Sequence, residues 1–321
     1  MSASSIISII IPAYNVAKHL NKCLDSVVSQ TLRDIEIILI DDGSTDDTPR
    51  LCDEWGQKDE RIRVVHQSNV GLAETRNRGV ALATAPFVGF VDSDDWIEPD
   101  MYQRLYEAHL RYDADLVVCN FHMDFVEEGT TELMHDKPSG LYPKAEALFR
   151  LMMEKGLDCY SWNKLYRRSL FEGVIYPKGR WMEDHATTYK LYFNAERIAY
   201  IETPLYHYIR HGGSFTMSSS VLKEADYFQA ILERRAFFLE HPFFSPREMA
   251  LFRIKGAQRT ISSIKVLDEI TKPDEALDLK EEMTTFVRNT FSVCRRPSFW
   301  KRRTRLAVNL NKLYAYLRYW S

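Results

Sequence analysis

Phe87-Val88-Gly89-Phe90-Val91 runs directly into Asp92-Ser93-Asp94-Asp95. A short apolar run reads as a buried strand, and this one ends in closely spaced carboxylates. Like charges a few ångströms apart repel strongly where the dielectric is low. A divalent cation relieves that repulsion, and hard oxygen ligands suit Mg2+ or Mn2+. The alternative is a strand end at which Asp95 caps a helix starting at Trp96.

Two more strand-like runs stop at polar clusters. Ile35-Glu36-Ile37-Ile38-Leu39-Ile40 leads into Asp41-Asp42-Gly43-Ser44-Thr45-Asp46, and Ile6-Ile7-Ser8-Ile9-Ile10-Ile11 leads into Pro12-Ala13-Tyr14-Asn15. Leu20, Leu24, Val27 and Val28 mark one helical face between them, and Val70 to Ala83 has helical spacing. Alternating strand and helix argues for an α/β fold with a mostly parallel sheet. Ligands bind beyond the carboxyl ends of such strands, so the three polar clusters are expected to gather at one edge.

The chain has 321 residues, 45% hydrophobic and 27% charged, with a net charge of -3. That composition is ordinary for a folded soluble protein and gives no bias toward nucleic acid. Cys23, Cys52, Cys119, Cys159 and Cys294 lack CxxC spacing, so they read as reduced thiols of a cytoplasmic chain rather than a disulfide frame or zinc site. No signal peptide pattern is evident, and no apolar run nears the roughly 20 residues that span a bilayer. The expected organisation is a catalytic domain over 1–220, with halves at about 1–120 and 121–220, and a helical module over 221–321. Helical patterns cover Val221 to Glu240, Pro246 to Ile270 and Pro273 to Phe291.

Ser8 to Asn15, Ser26-Val27-Val28-Ser29-Gln30-Thr31 and Ile40 to Asp46 resemble the opening of family 2 glycosyltransferases. Asn69-Val70-Gly71-Leu72-Ala73-Glu74-Thr75-Arg76-Asn77 is similar to the next block of that family. Asp92-Ser93-Asp94 resembles its metal-binding DxD, and Glu183-Asp184 its late acidic pair. The blocks stand in the family's order over residues 5 to 215. The resemblance implies a GT-A fold, a nucleoside-diphosphate-sugar donor and inversion at the anomeric carbon.

The chemistry explains the residue types. A departing nucleoside diphosphate gathers negative charge that a metal ion stabilises. The attacking hydroxyl must lose a proton to a base on the opposite face of the sugar. By resemblance Asp94 contacts the cation, Asp92 and Ser93 lie at the donor, and Asp184 is the base, although carboxylates at a helix start also suit its dipole. Pro12, Tyr14, Asp42, Asn69 and Arg76 would bind the donor: Tyr14 beside the base, Asp42 accepting its N3–H, and Arg76 near the base or phosphates. Asp41 is available to cap the turn. Glu183 would hydrogen-bond acceptor or sugar, and Trp162 would stack on sugar or sit in the core. His207 and His211 lie four apart, but Pro204 and Gly212-Gly213 argue against a zinc-binding helix. A late histidine completes the metal shell in several GT-A enzymes, a role His211 could fill.

The expected partners are a UDP-sugar and a glycan, glycoprotein or cell-wall polymer acceptor. A nucleotidyltransferase also uses strand-end carboxylates, but usually carries a Gly-rich basic loop that Pro12 to Lys22 lacks. No GxGxxG or GxxxxGK[ST] motif is present. A catalytically inactive sugar-binding scaffold is the remaining alternative. Arg295 to Ser321 holds eight Lys or Arg and no acid. Leu306, Leu310, Leu313, Leu317 and Trp320 share a helical face there, which reads as a terminal helix docked on its own domain or on a second subunit, a peripheral membrane contact on the inner face, or a patch for an anionic acceptor.

Overall fold

The computed structural model describes residues 5–135, 137–211, 220–272 and 276–294. In chain order it runs β1 (Ile7–Ala13), α1 (Leu20–Val28), β2 (Ile35–Asp41), α2 (Thr48–Lys58), β3 (Ile62–His66), α3 (Leu72–Leu82), β4 (Phe87–Phe90), β5 (Trp96–Ile97), α4 (Met101–Tyr112) and β6 (Leu116–Phe125). It continues with β7 (Thr130–Leu133), β8 (Gly140–Pro143), α5 (Lys144–Met152), β9 (Lys164–Arg167), α6 (Glu183–Asn194), β10 (Arg197–Arg210), α7 (Val221–Glu240), α8 (Pro246–Ile270) and α9 (Leu277–Cys294).

One sheet has the order β3-β2-β1-β4-β9-β6-β10-β5, with β7 beside β6 and β8 beside β10. The expected parallel part is β3-β2-β1-β4. The acceptor half is mixed: β9 runs antiparallel to both neighbours, while β6 and β10 are parallel. The strand order turns back at β1, with β2 on one side and β4 on the other, the kind of switch point where a crevice opens.

Both faces of the sheet are covered, and the strands divide their side chains with period two. Ile7, Ile9, Ile11, Ile35, Ile37 and Leu39 face one core, with Leu20, Leu24 and Trp55. Ile10, Ile38, Ile40, Val88 and Phe90 face the other, with Tyr166, Tyr189 and Tyr192. This explains the near-continuous apolar runs of β1 and β2. Helix α3 approaches β1 closely because a Cβ at Gly79 would collide with Ile10. Gly43, at φ +73°, allows the turn after β2, and a Cβ there would stand 2.6 Å from the Asn69 backbone nitrogen.

Two compact units divide between Phe252 and Arg253. Helix α7 and the first turns of α8 share the core of the first unit: Phe238 of α7 and Phe252 of α8 are buried with Tyr189 and Leu148. In the second unit α8 and α9 meet through Ala257, Ile261 and Val287, and Lys280 pairs with Asp268 at 3.2 Å. The basic stretch Arg295 to Ser321 lies outside the described residues. Among the described residues no helix is long and apolar enough to cross a membrane.

Candidate active site

The three polar strand ends do gather. Past β1, the Asn15 amide donates to Ser44 Oγ at 3.0 Å, and Asn15 Oδ1 accepts from the Thr45 amide at 2.8 Å. Pro12 is buried within β1, whereas the Tyr14 ring is 49% exposed. Past β2, Asp41 takes the turn: its Oδ1 accepts from the Ser44 amide at 3.0 Å. Asp42 Oδ1 accepts from Gln67 Nε2 at 2.7 Å and the Val70 amide at 2.9 Å, and its Oδ2 from the Gly71 amide at 2.9 Å. That carboxylate anchors the loop entering α3, on which Asn69 is exposed.

After β4 the chain makes a tight turn, with the Asp95 amide donating to the Asp92 carbonyl at 3.0 Å. Asp95 caps no helix, because β5 follows. Its buried carboxylate instead accepts from the Ile209 amide at 2.7 Å and from Tyr206 Oη at 2.7 Å. Tyr206 Oη in turn accepts from the Asp92 amide at 3.1 Å. Burial, with Asp94 and Asp92 nearby, holds the Asp95 carboxyl well above the usual range. Ser93 is buried, while the Asp92 and Asp94 side chains remain 24% and 30% exposed. Burial and the adjacent Asp92 push the Asp94 carboxyl up to about 6. His211, just past β10, has Nε2 3.7 Å from Asp94 Oδ2, and its ring stacks on His19 at 4.7 Å. His207 is held apart from it, between Glu98 and Asp124 at 3.0 Å each.

Three of the expected site residues have partners inside the protein. Arg76 does not extend to open space beside the strand ends. It is buried, donating from Nη2 to Asp92 Oδ1 at 2.8 Å and from Nη1 to Glu183 Oε1. Glu183 is buried in that pair, so its carboxylate is not open to a sugar hydroxyl. Trp162 lies in a buried aromatic stack, 4.2 Å from Tyr206 and 4.7 Å from Tyr160, and its face is not free for sugar. In each case a buried side chain found a partner far along the chain, which satisfies charge or area that burial would otherwise penalise.

Asp184 follows Glu183 at the first turn of α6 and stays partly exposed, with Oδ1 accepting from the His185 amide at 2.6 Å. Burial raises its proton affinity against the pull of Arg76. A raised carboxyl suits proton acceptance near neutral pH.

The model of the family described as Glycosyl transferase family 2 matches residues 8–175, just over half of the chain. The chain belongs to glycosyltransferase family 2. Among its relatives is EpsH of Bacillus subtilis, 37% identical over 216 residues, covering 64% of this chain and 61% of EpsH, so less than two thirds of that relative is matched. Among solved structures, S. aureus TarS 1-349 in complex with UDP-GlcNAc aligns with a TM-score of 0.62 at 20% identity, over 89% of this chain and 79% of that one. The mannosyltransferase PcManGT from Pyrobaculum calidifontis, in complex with GDP-Man and Mn2+, aligns with a TM-score of 0.51 at 13% identity, over 93% and 83%. These likenesses agree with the GT-A fold.

The family implies a divalent metal. Among the described residues no group of three His, Cys, Asp or Glu side chains forms a ready cage. The donor set fits an ion that shares its shell with a ligand. Mg2+ usually binds one or two carboxylates, waters and substrate phosphates, and the Asp94 side chain, 30% exposed beside Asp92, offers a carboxylate at the strand end. Sequence reasoning missed Tyr206 and Asp95 as the pair that fixes this turn. The signal available was Tyr206-His207-Tyr208, polar aromatics at strand period.

Proposed function

We propose that this protein is a metal-dependent, inverting glycosyltransferase that moves a sugar from a UDP-sugar to a hydroxyl of a glycan, glycoprotein or cell-wall polymer. The observation that carries the reading is the linkage Asp92–Arg76–Glu183. One buried guanidinium ties the DxD turn to the residue beside Asp184, so the two ends of a displacement reaction are held in one frame. The TarS complex with UDP-GlcNAc supports uridine in the donor, and GDP-sugars are the competing outcome.

Tyr14 presents a ring for the base, and Asp42 is a carboxylate already oriented by three donors. Pro12, Asn69 and Ser93 line the donor side by position. Asp94 and His211 would hold Mn2+ or Mg2+, with Asp92 reaching it through water or the donor. When bound, that ion supplies positive charge to the diphosphate as it leaves. Asp184 accepts the proton of the acceptor hydroxyl while the oxygen forms its bond to the anomeric carbon. The bond from that carbon to the diphosphate oxygen breaks, and its electron pair leaves with the nucleotide. A single displacement of this kind inverts the carbon.

The test is a panel of UDP- and GDP-sugars, read as nucleotide release with and without Mn2+, for the wild type and Asp184→Asn. Release from a UDP-sugar that Asp184→Asn abolishes at unchanged donor affinity is expected. Release at the wild-type rate from Asp184→Asn would place the base elsewhere, and no release from any donor would favour the inactive scaffold.

A further inference from the structure

Helix α7 lies beyond the residues that match the family model, yet its side chains grip the segment carrying Glu183 and Asp184 from both sides. Before the acidic pair, Asp226 Oδ2 accepts from the Met182 amide at 2.7 Å, and Asp226 Oδ1 accepts from Arg180 Nε. Arg180 Nη1 also donates to Glu233 Oε1 at 2.8 Å. After the pair, Arg234 Nε donates to the His185 carbonyl at 2.7 Å, and its Nη2 lies 2.6 Å from His185 Nδ1. Tyr227 Oη lies 3.0 Å from His185 Nε2. Asp226 and Arg234 are both buried.

Arg234 is unusual in what it lacks. Its other contacts are Nη2 to Cys159 Sγ at 2.9 Å and the guanidinium over the Tyr189 ring at 5.9 Å, and among the described residues no carboxylate forms an ion pair with it. Holding a carbonyl and an imidazole needs only a neutral donor. Burying a charge without a direct counter-ion is costly, so a nearby anion must compensate it. Glu154 and Asp184 are the carboxylates whose charge acts on it, and the Arg234 charge in turn lowers the proton affinity of Asp184.

We infer that α7 is a clamp on the catalytic segment, with Asp226 and Arg234 as positioning residues for Asp184. The inference rests on the reading of Asp184 as base. Asp226 fixes the backbone at Met182, and Arg234 fixes it at His185. The two-residue span between them then has little freedom, so the Asp184 carboxylate is presented in one place. A misplacement of about 1 Å at such a group can cost about a hundredfold in rate. The charged and titratable groups that face Asp184 are Arg76 on α3, Lys164 on β9, Arg234 on α7, Asp92, Cys159, Tyr160, Tyr166, Tyr176 and Glu183.

The experiment compares Arg234→Gln, Arg234→Lys, Asp226→Asn and Asp184→Asn in the full chain. Two readouts are used. The first is nucleotide release from UDP-GlcNAc with Mn2+ and water as acceptor, across pH. The second needs no donor: the 13C carboxyl resonance of Asp184, assigned by its loss in Asp184→Asn. Expected for Arg234→Gln is a kcat lower by about tenfold or more at unchanged donor KM, with the acid limb and the carboxyl titration both moved to higher pH. Arg234→Lys should return the titration toward wild type, because it restores the charge. Asp226→Asn should lower kcat and leave the titration in place. A purely structural role would lower thermal stability and leave the limb and the titration unmoved, which overturns the inference. An Arg234→Gln with wild-type kcat and limb, beside an inactive Asp184→Asn, overturns the clamp alone. An active Asp184→Asn overturns the base assignment and the inference with it. Should Arg234→Gln not fold, Tyr227→Phe removes only the hydroxyl on His185. A fall in its kcat of about threefold or more supports the clamp, and wild-type kcat overturns it.

Discussion

The guanidinium of Arg76 donates to Asp92 Oδ1 at 2.8 Å, and this places the DxD turn under the control of helix α3. The same guanidinium holds Glu183 at the start of α6. Arg76 and Glu183 are both buried. Burial pushes the Glu183 carboxyl up, and Arg76 opposes it. Removing one member leaves the other buried without its counter-charge, at a cost of about 3–5 kcal/mol. Arg76→Met should therefore lower the urea midpoint by a corresponding amount. Arg76→Lys should recover little, because one ammonium cannot present two directed donors to two carboxylates. A change below about 1 kcal/mol in Arg76→Met would show that the pair is dispensable.

Glu36 predicts how the fold responds to acid. Its Oε1 accepts from Ser8 Oγ, from the Thr84 amide at 2.7 Å, from Thr84 Oγ1 at 2.8 Å and from the Ala85 amide at 3.1 Å. Burial raises its proton affinity, but these hydrogen bonds outweigh burial and hold the carboxyl below its ordinary 4.5. The folded pKa is thus lower than the unfolded one. The stabilisation is complete above the unfolded value and is lost as pH falls through the folded value. Thermal melts of wild type and Glu36→Gln should differ at pH 7, and the gap should close as pH falls below 4.5. A gap independent of pH would mean that the carboxylate charge contributes nothing.

The strands β1, β2 and β4 were legible because both faces are buried, which leaves apolar runs bounded by polar turns. The helices α7 and α8 were legible to the residue, and α9 begins at Leu277, four residues after Pro273. The antiparallel β9 was not legible. It is four residues long, and it is set by pairing with β4 and β6, many residues distant in the chain. The same limit hid the partners of Arg76. A sequence shows an arginine near a carboxylate block, but not that Glu183, 107 positions later, will meet it in the interior. Trp162 was ambiguous for a different reason: an aromatic beside a short strand has the same pattern in a core and at a sugar site. Asp94 and His211 lie 3.7 Å apart because β10 pairs with β5 next to the DxD turn, a meeting that neither segment shows on its own.

Metal dependence gives a prediction that needs no acceptor. Mn2+ binding in the presence of UDP, followed by electron paramagnetic resonance, should be strong in wild type and at least about tenfold weaker in Asp94→Asn, which keeps the shape and removes the charge. His211→Ala should weaken binding less, because its ring also stacks on His19 and the donor phosphates can fill the vacated position. EDTA should abolish transfer. Full transfer in excess chelator would remove the metal from the mechanism.

Tyr206 offers the sharpest separation of turn geometry from packing. Its ring stacks on Trp162 at 4.2 Å, and its hydroxyl joins the Asp92 amide to the Asp95 carboxylate. Burial holds the phenol well above its usual range, so it remains a donor to Asp95. Tyr206→Phe keeps the ring and deletes one oxygen. Asp95 Oδ2 and the Asp92 amide then lose their partner inside the protein, which costs about 1–3 kcal/mol. The Ile209 amide still binds Asp95 Oδ1, so the strand stays attached while the turn loosens at Asp92. Mn2+ and UDP affinity should fall about tenfold in Tyr206→Phe, beyond what the stability loss alone would produce at a temperature where both proteins are folded. A control at the other side of the stack, Tyr160→Phe, removes a hydroxyl without touching the turn and should leave that affinity unchanged. Equal affinities in Tyr206→Phe and wild type would show that the turn holds its shape through the backbone bond from Asp95 to Asp92 alone.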